Sequence, residues 1–309
     1  MTKKSVFIAI TTLAVALLVF PSQTAALTLT PTFREVNLTP GQKSVVTVEI
    51  ENEGNEAVEL TTEVAPFTAK GETGEPEFNF DVPVAGAVSW VEVEEGPFSV
   101  AAGATKEIDV VFNTPSTATP GGYYIALFFT QTKEAEEDGD VTIESKLGTL
   151  FLITAEGSYS EAGNVSTFSA TGESMTGDSP VTFSVKFQNT GDIHLKPVGT
   201  IAITDLLGNE VETITVNSEK GAVLPDSIRE FEAESWTPTG FLFGKYTATL
   251  TFTAGTVSDT ATMDFWFFSV VGIVVAAAVI IVIILLIVLI IKKAGGKKPE
   301  ERTNEQENA

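Results

Sequence analysis

The chain has 309 residues, with 41 Asp+Glu against 18 Lys+Arg, a formal net charge of −23, one histidine and no cysteine. The missing cysteine excludes disulfides, thiol nucleophiles, cysteine zinc sites, iron–sulfur clusters and an acylated lipobox, and one histidine leaves little for triad or metal chemistry. The acidity argues against nucleic acid as a partner, because phosphates repel it. At the N-terminus, Lys3 and Lys4 precede an uncharged apolar run from Val6 to Phe20. Pro21 and the small residues up to Ala26 follow. This is the order of a secretory signal peptide, with cleavage expected after Ala26. The rival reading is an uncleaved anchor, for which the run is short.

From Leu27 to Asp264 the pattern is that of half-buried strands. Val46, Val48 and Ile50 alternate with polar residues, as do Phe183, Val185 and Phe187. Such short strands, broken by Gly, Pro, Asn and Asp turns, predict an all-β fold of two tandem Ig-like β-sandwich domains. An internal repeat supports two units. A strand runs into Asn52-Glu53-Gly54 in the first and into Asn189-Thr190-Gly191 in the second. Thr114-Pro115 then precedes Gly122-Tyr123-Tyr124, and Thr237-Pro238 precedes Gly244-Lys245-Tyr246. A tyrosine opening a strand after a turn resembles a tyrosine corner. The longer first unit predicts an insertion around Phe67–Val88. Ile125–Phe129 and Leu150–Ile153 are continuous apolar runs, so their hairpin is expected to be central or covered. The boundary is placed near Glu156–Gly163, giving domains at 27–157 and 158–264.

Phe265–Ile291 carries no charge and is long enough to cross a bilayer. Phe265-Trp266-Phe267-Phe268 reads as an interfacial aromatic belt, with the last strand ending near Met263. Lys292, Lys293, Lys297 and Lys298 follow, which predicts a cytoplasmic tail over 292–309. The expected topology is single-pass type I in the plasma membrane, with the bilayer engaged by 265–291 and both domains outside.

Pro120-Gly121-Gly122-Tyr123-Tyr124-Ile125-Ala126-Leu127-Phe128-Phe129 and Leu147-Gly148-Thr149-Leu150 resemble a pattern in the WxL-interacting proteins of Gram-positive bacteria. Leu29-Thr30-Pro31 and Leu38-Thr39-Pro40-Gly41-Gln42 are similar to the start of that family's peptidoglycan-binding domain. The resemblance implies a cell-wall-associated scaffold that binds peptidoglycan and tethers a surface protein partner.

Candidate sites each carry a plainer reading. Glu136, Asp138 and Asp140 lie in an acidic stretch that could hold calcium but lacks calcium-loop spacing, so a solvated hairpin tip is the alternative. Trp90 and Trp236 could stack on a sugar or peptide, or be buried in a core. Tyr123 and Tyr124 project to opposite faces, one suited to the corner bond and the other to a ligand. Glu92, Glu94 and Glu95 could pair with stem-peptide ammonium groups, or keep a strand edge soluble. His194 follows a turn, with no catalytic partner placed by the sequence. No cofactor is called for. The expected function is non-catalytic binding of peptidoglycan, another cell-wall polymer or a surface protein. The alternatives are a structural stalk or complex subunit, and a hydrolase using paired carboxylates.

Overall fold

The computed structural model describes residues 27–81, 86–131, 145–171, 180–233, 235–239 and 242–295. The expected signal peptide, the acidic stretch with Glu136, Asp138 and Asp140, and tail residues 296–309 lie outside these. The chain divides into two compact units.

The first unit contains β1 (Leu27–Thr30), β2 (Phe33–Leu38), β3 (Lys43–Asn52), β4 (Val58–Lys70) and β5 (Glu75–Phe78). A 3-10 helix (Gly86–Trp90) leads to β6 (Val91–Glu92), β7 (Phe98–Val100), β8 (Thr105–Asn113), β9 (Gly121–Gln131) and β10 (Ser145–Ala155). One sheet has the order β1-β3-β8-β6; the other has β2-β10-β9-β4-β5, with β7 also on β4. Every pairing is antiparallel except β2 with β10. Alternation sends Val48, Ile50, Ile108, Val110 and Phe112 of one sheet against Ile125, Leu127, Phe129, Phe151 and Ile153 of the other. β9 lies between β10 and β4, so it is central in its sheet, and its apolar run Ile125–Phe129 is buried throughout, as the sequence implied. The stretch read as an insertion, Phe67–Val88, holds β5 and the start of the 3-10 helix.

The second unit contains β11 (Gly163–Thr171), β12 (Thr182–Asn189), β13 (Val198–Thr204), β14 (Glu210–Val216), β15 (Ser227–Glu232), β16 (Phe243–Ala254) and β17 (Val257–Phe268). Its sheets have the orders β11-β12-β15 and β14-β13-β16-β17. Phe183, Val185, Phe187 and Phe231 pack against Ile201, Ile203, Leu250, Phe252, Phe265 and Phe267. The protein is therefore all-β, two Ig-like sandwiches followed by one apolar helix.

The repeated asparagine has the same task in both units. Asn52 and Asn189 each end a strand and are fully buried. Asn52 Nδ2 reaches the carbonyls of Glu56 (2.8 Å), Val100 (3.0 Å) and Ala101 (3.2 Å), and its Oδ1 accepts from Gly54 N at 3.0 Å. Asn189 Nδ2 donates to Val223 O at 2.8 Å. An amide at the strand end thus satisfies loop carbonyls that would otherwise be buried without a donor.

The junction with the helix differs from the sequence expectation. β17 continues through Phe268, and α1 spans Val270–Gly295. Phe265–Phe268 are strand residues, not the first turn of the span. Phe265 and Phe267 point into the second core at 5% and 0% exposure, while Trp266 points out at 59%. Pairing with β16 runs to Phe243 opposite Phe268, and this ladder holds the tetrad extended. Ser269 then caps α1: its Oγ accepts from Gly272 N at 3.0 Å and from Leu242 N at 3.1 Å. Its own N–H donates to Leu242 O at 2.9 Å. At the other end α1 runs past Ile291 through Lys292 and Lys293, because nothing in Ile-Lys-Lys-Ala breaks a helix.

Candidate binding surface

In β9, Ile125, Leu127 and Phe129 face the first core, so Tyr124, Ala126 and Phe128 face outward. The register extends this outer face across the sheet. Phe128 is opposite Glu63 of β4 and Gly148 of β10; Ala126 is opposite Ala65 and Leu150. Leu150 is in turn opposite Phe33 of β2. The start of β2 is held by the buried Thr149, whose Oγ1 donates to Pro31 O at 2.6 Å. Gly148 is required here, since a Cβ would stand 2.8 Å from Phe128 Cε1.

The β4–β5 hairpin adds an aromatic layer. Phe78 meets Phe128 edge-on at 4.9 Å and Phe67 at 6.0 Å between centroids. Phe80 packs 5.4 Å from Phe128 yet stays 46% exposed. Lys146 Nζ lies 4.5 Å from the Phe80 centroid and 5.3 Å from that of Phe128. It also pairs with Glu63 Oε2 at 2.9 Å. At the sheet margin Phe33 is 44% exposed. The face thus offers two open aromatic rings, half-buried Leu150, and one partly exposed cation–carboxylate pair. Rings of this kind take the apolar face of a sugar or a peptide side chain, and the charges can exchange partners with a ligand's carboxylate or ammonium.

The residues singled out from the sequence are placed as follows. Trp90 is buried in the first core, 4.6 Å from the Tyr123 ring. Tyr123 makes the corner bond, donating its hydroxyl to Thr119 O at 2.8 Å. Tyr124 is on the outer face, 5.9 Å from Phe67, and burial pushes its pKa well up. Glu92 accepts from Asn113 Nδ2 at 3.1 Å, tying β6 to β8, and Glu94 pairs with Lys106 at 3.0 Å. Trp236 is buried among Tyr246, Phe265 and Phe267. His194 is half-buried in the turn after β12. The structure thus brings Trp90 and Tyr123 together inside the core, and leaves Tyr124 on the aromatic face. Phe33, Phe80, Phe128 and Lys146 were not singled out from the sequence. Among the described residues, no group of three His, Cys, Asp or Glu side chains could hold a metal.

No protein-family model matches the sequence, and no curated protein matches it. The chain is similar to a solved class 5 fimbriae chaperone, CfaA, at 12% identity and a TM-score of 0.40, over 77% of this chain and 98% of that one. It is also similar to the E. coli chaperone DraB at 12% identity and a TM-score of 0.36, over 78% and 98%. A third similar structure is that of Salmonella enterica SafA pilin with the SafB chaperone, at 10% identity and a TM-score of 0.36, over 78% and 98%. Likeness at this level says nothing of function.

Proposed function

We propose that the chain is a non-catalytic, membrane-anchored surface protein whose first unit binds a cell-wall polymer, peptidoglycan, through the outer face of the β2-β10-β9-β4 sheet. The observation that carries this reading is the open aromatic pair, Phe33 and Phe80, with Lys146 and Glu63 beside Phe80. A polymer with sugar rings and charged stem peptides matches that mixture. Retention falls to α1. Its apolar segment Val270–Lys293 has 24 residues, about 36 Å at 1.5 Å per residue, against a hydrocarbon core of ~30 Å. Lys292 and Lys293 close it, which favours a cytoplasmic C-terminus. The resemblance to WxL-interacting proteins agrees with this role.

The test is co-sedimentation of the Leu27–Ser269 fragment with purified peptidoglycan over a salt series. Binding that persists at high salt, and falls at least tenfold in Phe80→Ala and Phe33→Ala, is expected. A tenfold loss is ~1.4 kcal/mol, within the range of a lost interface aromatic. Binding that vanishes with salt, or that the two variants leave unchanged, sinks the proposal.

A second reading, capture of a protein strand, is favoured by the brevity of β6. It pairs only with Val111 and Phe112 of β8. Among the described residues, the ladder on that side of β8 stops there, so the Thr105–Val110 edge is open to strand addition. Lack of peptidoglycan binding by a folded fragment would turn the search to such partners.

A further inference from the structure

The turn between β13 and β14 is closed by its own polar groups. Gly208, at φ +85°, donates its N–H to Asp205 O at 3.0 Å. Asp205 Oδ1 accepts from the N–H groups of Leu207 and Asn209, each at 2.8 Å, and Oδ2 accepts from Asn209 Nδ2 at 2.9 Å. Asp205, Gly208 and Asn209 therefore specify the turn. The two positions left over carry Leu206 and Leu207, although turn tips favour polar residues. They are 76% and 85% exposed, more than Ile290 of α1 at 67%. Nothing inside the second unit requires an apolar side chain there.

Register fixes where this tip stands. β13 runs antiparallel to β16 and ends with Thr204 opposite Thr247, which is itself opposite Asp264 of β17. Four rows further, Phe243 faces Phe268, and α1 starts at Val270. Those rows span ~14 Å at ~3.4 Å per residue, and the rising arm of the turn covers about 10 Å of that. The tip thus reaches about the level of Trp266 and Phe267, roughly three residue steps short of Val270, where α1 begins, and two strands or about 10 Å to the side. The same end of the sheet presents Trp266 at 59% and Phe243 at 47% exposure. Charged groups nearby are Asp205, Glu210, Glu212 and the Lys245–Asp264 pair at 2.8 Å. Acids dominate, so attraction to anionic headgroups is not what the surface is built for.

We infer that Leu206 and Leu207 form a second membrane contact, reaching the interface of the leaflet nearest the second unit at the level of Trp266. Trp266 and Phe243 sit between this contact and α1 at the interfacial level, where tryptophan is enriched. The helix alone retains the protein but leaves the second unit free to tilt. A second apolar foot about 10 Å from the first restricts that tilt. This inference rests on the anchoring role proposed for α1, and its test separates the two.

Because the chain has no cysteine, a single introduced one takes a nitrobenzoxadiazole label at one site. The full chain is reconstituted in phosphatidylcholine vesicles with the label at Leu207→Cys, at Val279→Cys within α1, or at the exposed Ser258→Cys near the β16–β17 turn. Blue-shifted emission and quenching by brominated lipid are expected at 207 and 279, with neither at 258. Quenching at 279 without quenching at 207 overturns the inference and leaves the anchor standing. No quenching at 279 overturns both. A Leu206→Ser, Leu207→Ser double variant with an unchanged melting temperature, carrying its label at Trp266→Cys, provides a second reading. Loss of the blue shift at 266 supports the foot, and an unchanged blue shift refutes it.

Discussion

Replacing Phe267 by alanine separates a strand from a membrane-entry turn in the Phe265–Phe268 tetrad. Phe267 is fully buried, its ring 5.5 Å from that of Trp236. Truncating a buried phenylalanine costs about 3–5 kcal/mol. A unit of roughly a hundred residues has ~5–15 kcal/mol in total. Phe267→Ala therefore removes about a fifth or more of the second unit's stability. At ~4–8 °C per kcal/mol, its melting temperature falls by at least about 12 °C. Trp266 is the control: it is 59% exposed and stacks at 6.0 Å on Phe268, so Trp266→Ala should stay within about 0.5 kcal/mol. The assay is thermal denaturation of the Leu27–Ser269 fragment followed by circular dichroism, with the first unit's transition as an internal reference. Equal effects of the two substitutions would refute the reasoning, because an aromatic belt would not distinguish neighbours by parity.

Three other outcomes follow from the geometry. Asn52→Ala takes a donor from the carbonyls of Glu56 and Val100 and should cost at least about 2 kcal/mol in urea unfolding, with Asn189→Ala costing about 1–3 kcal/mol through Val223. Gly148→Ala places a Cβ 2.8 Å from Phe128 Cε1, so the ring must move; a loss of about 1–3 kcal/mol and an altered near-ultraviolet spectrum are expected. Burial raises the pKa of Tyr124, so above about pH 10 the unfolded chain releases this proton while the folded chain keeps it. The unfolded state then binds fewer protons and stability falls as pH rises. The urea midpoint should drop between about pH 9 and pH 11, with a shallower slope in Tyr124→Phe.

The sandwiches were legible because strand alternation is local. Thr182–Phe187 reads directly as Phe183, Val185 and Phe187 in the core, and the unbroken run Ile125–Phe129 reads as a strand covered on both sides. The Asn52 and Asn189 repeat was visible as a turn signature, but its bracing of buried carbonyls was not, because the partners lie up to 49 residues away. The end of β17 was hidden by composition: aromatic strand residues and the start of an apolar helix have similar hydropathy. Ser269, a good cap residue, was the one local signal at that border. The candidate binding face had one local signal, the alternation that sets Tyr124 on the face opposite to Tyr123. Phe33 meets Leu150, and Glu63 meets Phe128, only through sheet register. Leu206 and Leu207 look unremarkable in the sequence, and gain meaning only from the end of the sheet at which they stand.

The passage from β17 into α1 through the single residue Ser269 also has a mechanical side. β16 and β17 are paired along twelve residues each, with β17 leading straight into the helix. A pull on the second unit against α1 would therefore travel down β17 and load that ladder lengthwise, with its hydrogen bonds sharing the force in parallel. A ladder stressed in this way must break many bonds at once, whereas a hairpin peeled from one end gives way one bond at a time. The joint is thus suited to bear a lengthwise load.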